Sequence, residues 1–177
     1  MTTPYRIRVA EAGDEDALAV LDRSHWSPLY AVHPRPEPPY PPFFDATHLP
    51  AHFLLAEWTG GDQDGSAPAS PGALVGYIRM VPRTSLPSNA HVREIQGLLV
   101  DPAVRGHGVG RALLEEACAR AREEGALRMG LRVLGTNEPA RRLYAAAGFA
   151  EEGRLPGEFL LAGDYVDDVL MGRWLGP

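Results

Sequence analysis

A run of alternating glycines in the second half of the chain could bind an anion. Arg105-Gly106-His107-Gly108-Val109-Gly110 lies between a predicted strand and a predicted helix. Glycine lets a backbone approach a ligand closely, and the first amides of a helix have no acceptor within the helix. With the helix dipole they suit a pyrophosphate, whose oxygens Arg105 and Arg111 could bind. The alternative is a tight connection with a purely structural role.

Two other phosphate-binding motifs fit this run poorly. A Walker loop requires Gly-Lys followed by Ser or Thr, and there is no lysine here. A dinucleotide-binding turn normally opens an N-terminal βαβ unit and is followed about 20 residues later by an acidic residue at a strand tip. Here the turn lies past mid-chain, and Glu123 and Glu124 fall at the end of the helix.

A second segment farther along the chain also carries polar chemistry. Ala140, Leu143, Tyr144 and Ala147 recur at helical spacing, so they form one apolar stripe with Tyr144 facing inward. A buried phenol is either a core tyrosine bonded to a backbone carbonyl or a proton donor. Asn137, which precedes this helix, is either its N-cap or a ligand contact.

Other reactive side chains offer weaker candidates. Cys118 lies mid-helix among alanines, where cysteine behaves as a small hydrophobic residue. Of the six histidines only His48 and His52 have helical metal-ligand spacing, and that pair spans Pro50. We therefore expect no metal site.

The elements that position these residues alternate along the chain. Period-two alternation or apolar runs favour strands, whereas Ala-, Leu-, Glu- and Arg-rich stretches favour helices, with Gly125 as a C-terminal cap. The chain is thus predicted to form a mixed sheet with helices on its faces. Strands are predicted over 5–9, 52–58, 74–81, 91–100, 127–134, 149–154 and 167–174, and helices over 14–21, 108–124 and 138–147. In the first helix Ala17, Leu18 and Leu21 should share the buried face.

Length and composition limit the class of protein. The chain has 177 residues, 45% of them hydrophobic, and a net charge of −6, which predicts one globular domain over 1–177 and no affinity for nucleic acid or anionic lipid. No run approaches the roughly 18 apolar residues of a membrane span, and the N-terminus is unlike a secretory signal, so we expect a cytoplasmic protein. Loop 33–42 is proline-rich and stiff, and loop 60–72 should be mobile.

The two motifs together resemble the GCN5-related N-acetyltransferase (GNAT) superfamily. Arg105, Gly108 and Gly110 match its Arg-x-x-Gly-x-Gly motif, and the segment from Asn137 to Phe149 matches its second block, Asn-x-x-Ala-x-x-x-Tyr-x-x-x-Gly-Phe, at every specified position. The similarity is close over about residues 91 to 154. The remaining predicted elements match the family only in their order along the chain. Residues 163–171 are also similar to the C-terminal strand of small-molecule members.

The resemblance implies a fold and an activity. The fold is a mixed, mostly antiparallel α/β sheet of six or seven strands with helices on both faces, whose fourth and fifth strands splay to admit the pantetheine arm. The activity is transfer of an acetyl group from acetyl-CoA to a primary amine by direct attack, without a metal. By this resemblance Tyr144 would protonate the leaving thiolate. Glu94 is the best-placed carboxylate to accept the proton of the amine; the alternative is that Glu94 is a surface glutamate without a catalytic role.

The resemblance also assigns binding residues. The segment after the first helix lines the acceptor pocket in the family, which points to Trp26 and Tyr30, with Glu94, as substrate contacts; a satellite core formed by Trp26, Tyr30, Tyr40, Phe43 and Phe44 is the alternative. A small-molecule amine is favoured over a protein as acceptor, and the protein would be a monomer or a homodimer. The expected acetyl-CoA contacts are Leu98, Leu99, Val100, Arg105, Gly106, His107, Gly108, Val109, Gly110, Arg111, Asn137, Ala140 and Tyr144.

Three alternatives remain on sequence grounds. The same fold serves non-catalytic acyl-CoA-binding or regulatory modules, which require neither Tyr144 nor a proton acceptor. It also serves acetyltransferases of protein N-termini or lysines. A domain that binds another diphosphate would use the glycine-rich turn for ATP or NAD.

Overall fold

The computed structural model describes residues 3–60 and 67–176. These residues form one seven-stranded sheet in the order β1-β2-β3-β4-β5-β7-β6, together with three α-helices. The prediction of a mixed sheet of six or seven strands is confirmed. In chain order the elements are β1 (Tyr5–Val9), α1 (Glu15–Ser24), β2 (Phe53–Trp58), β3 (Leu74–Pro82), β4 (Val92–Val100), α2 (Val109–Glu123), β5 (Arg128–Leu134), α3 (Glu138–Ala146), β6 (Ala150–Leu161) and β7 (Asp164–Trp174).

Antiparallel pairing dominates the sheet. β1 pairs with β2, β2 with β3, β5 with β7 and β6 with β7 in antiparallel register. β4 and β5 are parallel, and their ladder joins Val92–Ile95 to Arg128–Leu131. β4 continues beyond this ladder to Val100, and β5 to Leu134.

The chain forms two compact units. The first comprises Met1–His25, Pro36–Arg79 and Gly97–Ala117, and the second comprises Trp26–Arg35, Met80–Gln96 and Cys118–Pro177. The sequence-based expectation of one domain over 1–177 stays a prediction.

The core of the first unit lies between α1 and strands β2 and β3. Leu18 and Leu21 of α1 are buried together with Phe53, Leu55 and Tyr77, and Phe43 and Phe44 pack against this cluster. Ala17, which was predicted to share the buried face, is exposed. Leu18 and Leu21 lie three residues apart at the centre of the buried face, and Ala17 lies at its edge on the solvent side.

In the second unit, buried side chains follow the two central strands. Met129, Leu131 and Val133 alternate along β5, and Val169 and Met171 are buried on β7. Alternate positions of a strand point to the same face, which explains this pattern. No helix of the described chain is long and apolar enough to span a membrane.

The last two strands are longer than the sequence predicts. β6 runs to Leu161, seven residues past the predicted end at Arg154, and β7 begins at Asp164 instead of Asp167. Pro156 and Gly157 lie within β6, where the β6–β7 register shifts between Leu155 and Phe159. A bulge of this kind accommodates Pro and Gly within a strand.

The predicted loops are partly described. Residues 33–42 carry no helix or strand, as predicted for the proline-rich loop. β2 and β3 form the antiparallel hairpin expected on either side of loop 60–72. Residues 61–66 of that loop lie outside the described residues, so its predicted mobility stays a prediction.

An ion-pair network ties the end of β1 to the start of α1. The Arg8 guanidinium donates to both carboxylate oxygens of Asp14, at 2.7 and 2.8 Å, and to Glu57 Oε2 at 2.9 Å. Asp14 also accepts from the Glu11 amide at 2.8 Å. The hydrogen bond from Arg8 is the main reason that the pKa values of the Asp14 and Glu57 carboxyls lie below their usual range.

We expect Asp14→Asn to lower the free energy of unfolding at pH 7 by roughly 1–2 kcal/mol, because a bidentate, charge-assisted interaction is lost. A carboxyl whose pKa is depressed in the folded state stabilises the protein above its unfolded pKa, and this contribution disappears as the pH falls through the folded value. Urea denaturation at neutral and acidic pH should therefore show the deficit shrinking toward acid. Asp16→Asn, at an exposed position of α1, is the matched control; equal deficits in the two variants would contradict this account.

Candidate active site

The glycine-rich turn joins the end of β4 to the start of α2 in the first unit. Asp101 accepts from the Ala103 amide at 2.8 Å and so caps a short 3₁₀ turn, Pro102–Val104, whose last residue is buried. Gly106 and Gly108 follow with φ angles of 82° and 79°. Residues other than glycine rarely adopt these φ angles, which explains why glycine occupies both positions.

Amide donors of this turn are available to a ligand. The Ala112 amide donates to the Gly108 carbonyl at 3.0 Å, so the amides of Val109, Gly110 and Arg111 precede the hydrogen-bond ladder of the helix. Arg105 and Arg111 are exposed, and neither forms an ion pair with a described residue. Amides at a helix N-terminus with two such arginines fit a pyrophosphate.

His107 is turned back onto its own loop. Its Nδ1 lies 3.1 Å from the Val104 carbonyl oxygen and 3.2 Å from that of Arg105. Its ring lies edge-to-face with Trp58 of β2, with the ring centroids 5.3 Å apart.

The end of β4 passes close to β3. A Cβ at Gly76 of β3 would lie 2.7 Å from the Leu99 carbonyl oxygen, so only glycine permits this approach. Leu98, Leu99 and Val100 are half-buried, and Leu99 packs against the core of the first unit.

Glu94, on the part of β4 that belongs to the second unit, has two polar neighbours. The Gln96 amide nitrogen donates to Glu94 Oε2 at 3.0 Å, and Arg83 Nε lies 4.0 Å from Oε1. The Glu94 side chain is 16% exposed, so it can still exchange a proton with solvent or a ligand. The neighbouring residue on β5 is Gly130, whose missing side chain leaves room for the Arg83 guanidinium.

Helix α3 of the second unit carries the second sequence block. Asn137 caps it, because its side-chain oxygen accepts from the Ala140 amide at 3.3 Å. The bond confirms the capping interpretation and leaves the Asn137 amide nitrogen for another partner. Ala140 is half-buried, and Tyr144 is buried beside Phe149, with ring centroids 6.0 Å apart.

Burial controls the acidity of Tyr144. It raises the pKa of Tyr144 to about 12, because the charged phenolate would lose its hydration. The phenol therefore remains protonated at neutral pH, which is the state required of a proton donor.

The predicted substrate contacts lie in a loop of the second unit. The Trp26 indole nitrogen donates to the His33 carbonyl at 3.2 Å, and Tyr30 is 45% exposed. The five aromatic residues do not all belong to a satellite core. Phe43 and Phe44 pack on the core of the first unit, whereas Tyr40 is exposed and lies under the Arg23 guanidinium.

The remaining candidates carry little chemistry. Cys118 is fully buried, as expected of a small hydrophobic residue. Within residues 3–60 and 67–176, no three His, Cys, Asp or Glu side chains come together as metal ligands.

Sequence reasoning missed Trp58, Arg83 and Gln96. Trp58 contacts His107 and Arg83 contacts Glu94, and in both pairs the partners lie on different elements, so helical or strand periodicity carried no signal for Trp58 and Arg83. Gln96 could have been found, since residues i and i+2 of a strand share a face.

Tyr144 and Tyr77 should resist ionisation in the folded protein. Burial raises the pKa of Tyr77 well above its ordinary value, as do the charge of Asp22 and the hydrogen bond that Tyr77 donates to it at 2.6 Å. A raised pKa stabilises the folded state fully below the unfolded value of about 10, and this contribution falls as the pH rises toward the folded value. In an alkaline absorbance titration, Tyr77 and Tyr144 should remain protonated until the protein unfolds.

Tyr144→Phe and Tyr77→Phe should each remove one tyrosine from this late-titrating group. Tyr165→Phe, at an exposed position, serves as the control and should leave the group unchanged. Early ionisation of Tyr144 would contradict its assignment as a buried phenol.

Comparison with known proteins extends the resemblance. The family model for the acetyltransferase (GNAT) family matches residues 18–149. A mycothiol acetyltransferase of Sanguibacter keddieii is 38% identical over 109 residues, which cover 61% of this chain and 30% of that protein. The chain thus spans about a third of the length of this curated relative.

Solved structures share the fold. The structure of yncA from Salmonella typhimurium with its cofactor acetyl-CoA has a TM-score of 0.72 and 20% identity, and the match covers 98% of this chain and 95% of that one. A phosphinothricin acetyltransferase from Sinorhizobium meliloti in complex with acetyl-CoA has a TM-score of 0.70 and 22% identity, over 98% and 89% of the two chains. The family match covers most of the chain, including the glycine-rich turn and the helix that carries Tyr144, and the chain belongs to the acetyltransferase (GNAT) family.

Proposed function

We propose that this protein transfers the acetyl group of acetyl-CoA to a primary amine of a small molecule. The observation that carries the proposal is the glycine-rich turn, where two glycines of positive φ precede the free amides of α2. The turn is flanked by two arginines that have no carboxylate partner among the described residues. In a member of an acetyltransferase family, the expected ligand of such a turn is the pyrophosphate of coenzyme A.

Acetyl-CoA supplies an acetyl group activated as a thioester. In this proposal the backbone of Leu98, Leu99 and Val100 borders the pantetheine arm, and the free amide nitrogen of Asn137 donates to it. Ala140 is small enough for the arm to lie against α3. The pyrophosphate is held by the turn, through Arg105, Gly106, His107, Gly108, Val109, Gly110 and Arg111.

Glu94 is proposed as the proton acceptor. An ammonium group has no lone pair, so the acceptor must lose a proton, directly or through water, before it attacks the thioester. Arg83 and Gln96 hold the Glu94 carboxylate in place.

Tyr144 is proposed as the proton donor to the departing thiolate. In water, a thiolate whose thiol has a pKa of about 8.5 would rarely take a proton from a phenol of far higher pKa. Transfer at a buried site is different, because the same desolvation that disfavours the phenolate also disfavours the thiolate. The proton then moves as the carbon–sulfur bond breaks, and no covalent enzyme intermediate is needed.

The acceptor is proposed to be a small molecule bound near Trp26 and Tyr30. The names of the compared relatives, a mycothiol acetyltransferase and a phosphinothricin acetyltransferase, agree with this class. Glu94 completes the proposed set of acceptor contacts.

Acetyl-CoA should bind to the wild-type protein and not to Gly108→Trp, since an indole in a turn that requires positive φ would block the amides. Calorimetric titration with acetyl-CoA, CoA and ATP measures this directly. Gly13→Trp is the control, because a side chain there would meet no neighbour. No binding of acetyl-CoA by the wild-type protein would remove the proposed function, and preference for ATP would favour a nucleotide-binding domain.

Tyr144→Phe should lower kcat about 100-fold while leaving the Kd of acetyl-CoA within a factor of about two, because a general acid acts on the transition state. Release of free thiol from acetyl-CoA, measured with a panel of small amines and with a lysine peptide, provides kcat and the acceptor class. Because the pKa of Tyr144 is about 12, its ionisation should not lower kcat between pH 7 and 10.

The control variant is Tyr165→Phe, which should keep wild-type turnover. Full activity in Tyr144→Phe would overturn the acid assignment. Binding of acetyl-CoA without transfer to any amine would instead identify a non-catalytic module.

A further inference from the structure

We propose that Trp58 and His107 position the glycine-rich turn, so that His107 acts on coenzyme A through the backbone of the turn and not through a direct contact of its imidazole with phosphate. This inference rests on the proposed function. The residues on which it depends belong to the first unit.

The first support is the orientation of the His107 ring. Nδ1 lies within hydrogen-bond distance of two carbonyl oxygens of its own turn, those of Val104 and Arg105. A carbonyl oxygen only accepts, so Nδ1 carries a proton in this arrangement. The side chain therefore closes a small ring with the backbone of the turn.

The second support is the surface on which the ring rests. Trp58 is only 3% exposed, and its plane makes an angle of 84° with that of His107, the edge-to-face geometry that aromatic pairs favour. Its backbone is fixed by two hydrogen bonds of 2.8 Å, from its own amide to the Ala73 carbonyl and from the Gly72 amide to its carbonyl. Trp58 is thus a rigid partner for a histidine on an exposed turn.

A second aromatic residue lies beside Trp58. Tyr5 is opposite Trp58 in the β1–β2 ladder, so their side chains share a face of the sheet. The Tyr5 hydroxyl lies 3.6 Å from the position that a Cβ at Gly108 would occupy. Tyr5 and Trp58 therefore form an aromatic platform under two positions of the turn, those of Gly108 and His107.

The platform matters because the turn is costly to order. Glycine loses more backbone freedom on ordering than any other residue, and this loss of entropy opposes the ordering of the turn. Gly106 and Gly108 are both exposed. Without a contact from His107, the free energy needed to order them would be subtracted from the free energy of ligand binding. A turn already held in place binds more tightly, with no additional contact to the ligand.

The test combines two ligands with a double-mutant cycle. His107→Ala should raise the Kd of CoA about tenfold and leave the affinity for acetylpantetheine, which has no pyrophosphate, unchanged. Trp58→Leu should have a similar effect, and the double variant should be no weaker than the weaker single variant, because both remove the same contact. His107→Phe keeps an aromatic ring against Trp58 and should bind CoA within about threefold of the wild-type protein.

A second readout needs no ligand. Amide hydrogen exchange of the free protein should be faster over residues 104–111 in His107→Ala than in the wild-type protein. His33→Ala, at an exposed histidine, is the matched control and should leave both this exchange and the Kd of CoA unchanged.

The outcomes separate the alternatives. Additive losses in the double variant would mean that Trp58 and His107 act independently, and equal losses in His107→Phe and His107→Ala would mean that the ring contact with Trp58 does not hold the turn; either result would overturn the inference. Unchanged CoA affinity and exchange in His107→Ala would also overturn it. If the wild-type protein failed to bind CoA, the proposed function would fail, and hydrogen exchange would still decide whether His107 holds the turn. If Trp58→Leu does not fold, the comparison of His107→Phe with His107→Ala still decides.

Discussion

The parallel pairing of β4 with β5 dictates the path of the chain through the glycine-rich turn. Two parallel neighbours cannot be joined by a hairpin, so the chain must cross over between them. Here α2 makes this crossover, and the chain must reverse sharply between the end of β4 and the first turn of the helix. Gly106 and Gly108 permit that reversal with positive φ. A cluster of free amides at the end of a strand is thus a consequence of strand direction, before any ligand is considered.

Local signals in the sequence predicted the parts of the site that depend on neighbouring residues. The turn, the helix after it, the Asn137 cap and the burial of Tyr144 each follow from the types and spacing of a few consecutive residues. Gly125 ends α2 with a φ of 82°, as its position after an Ala- and Glu-rich stretch predicted. Propensity, capping and periodicity act over one or two turns, which explains why these assignments agree with the structure.

Contacts between distant elements were beyond such reasoning. Trp58 and His107 are 49 residues apart in sequence. Trp58 lies on β2 and His107 on the turn after β4, and β3 lies between these two strands in the sheet. Arg83 reaches Glu94 because Gly130 leaves space on the adjacent strand. The length of β6 was misjudged for a related reason. Pro156 and Gly157 disfavour a strand locally, but the partner strand tolerates them through a bulge.

The proposed reaction demands opposite properties from two parts of the chain. A proton donor to a thiolate is most useful where water is excluded, and Tyr144 is accordingly buried beside Phe149. A pyrophosphate loop must instead reach a highly charged ligand, and residues 105–108 are accordingly exposed. Exposure makes a glycine-rich segment mobile, and mobility weakens binding. A rigid aromatic side chain beneath an exposed turn resolves this conflict, because it restricts the backbone from the side opposite the solvent and leaves the amides accessible. In this proposal β1 and β2, which are far from any reacting residue in sequence, contribute to the affinity for the acyl donor.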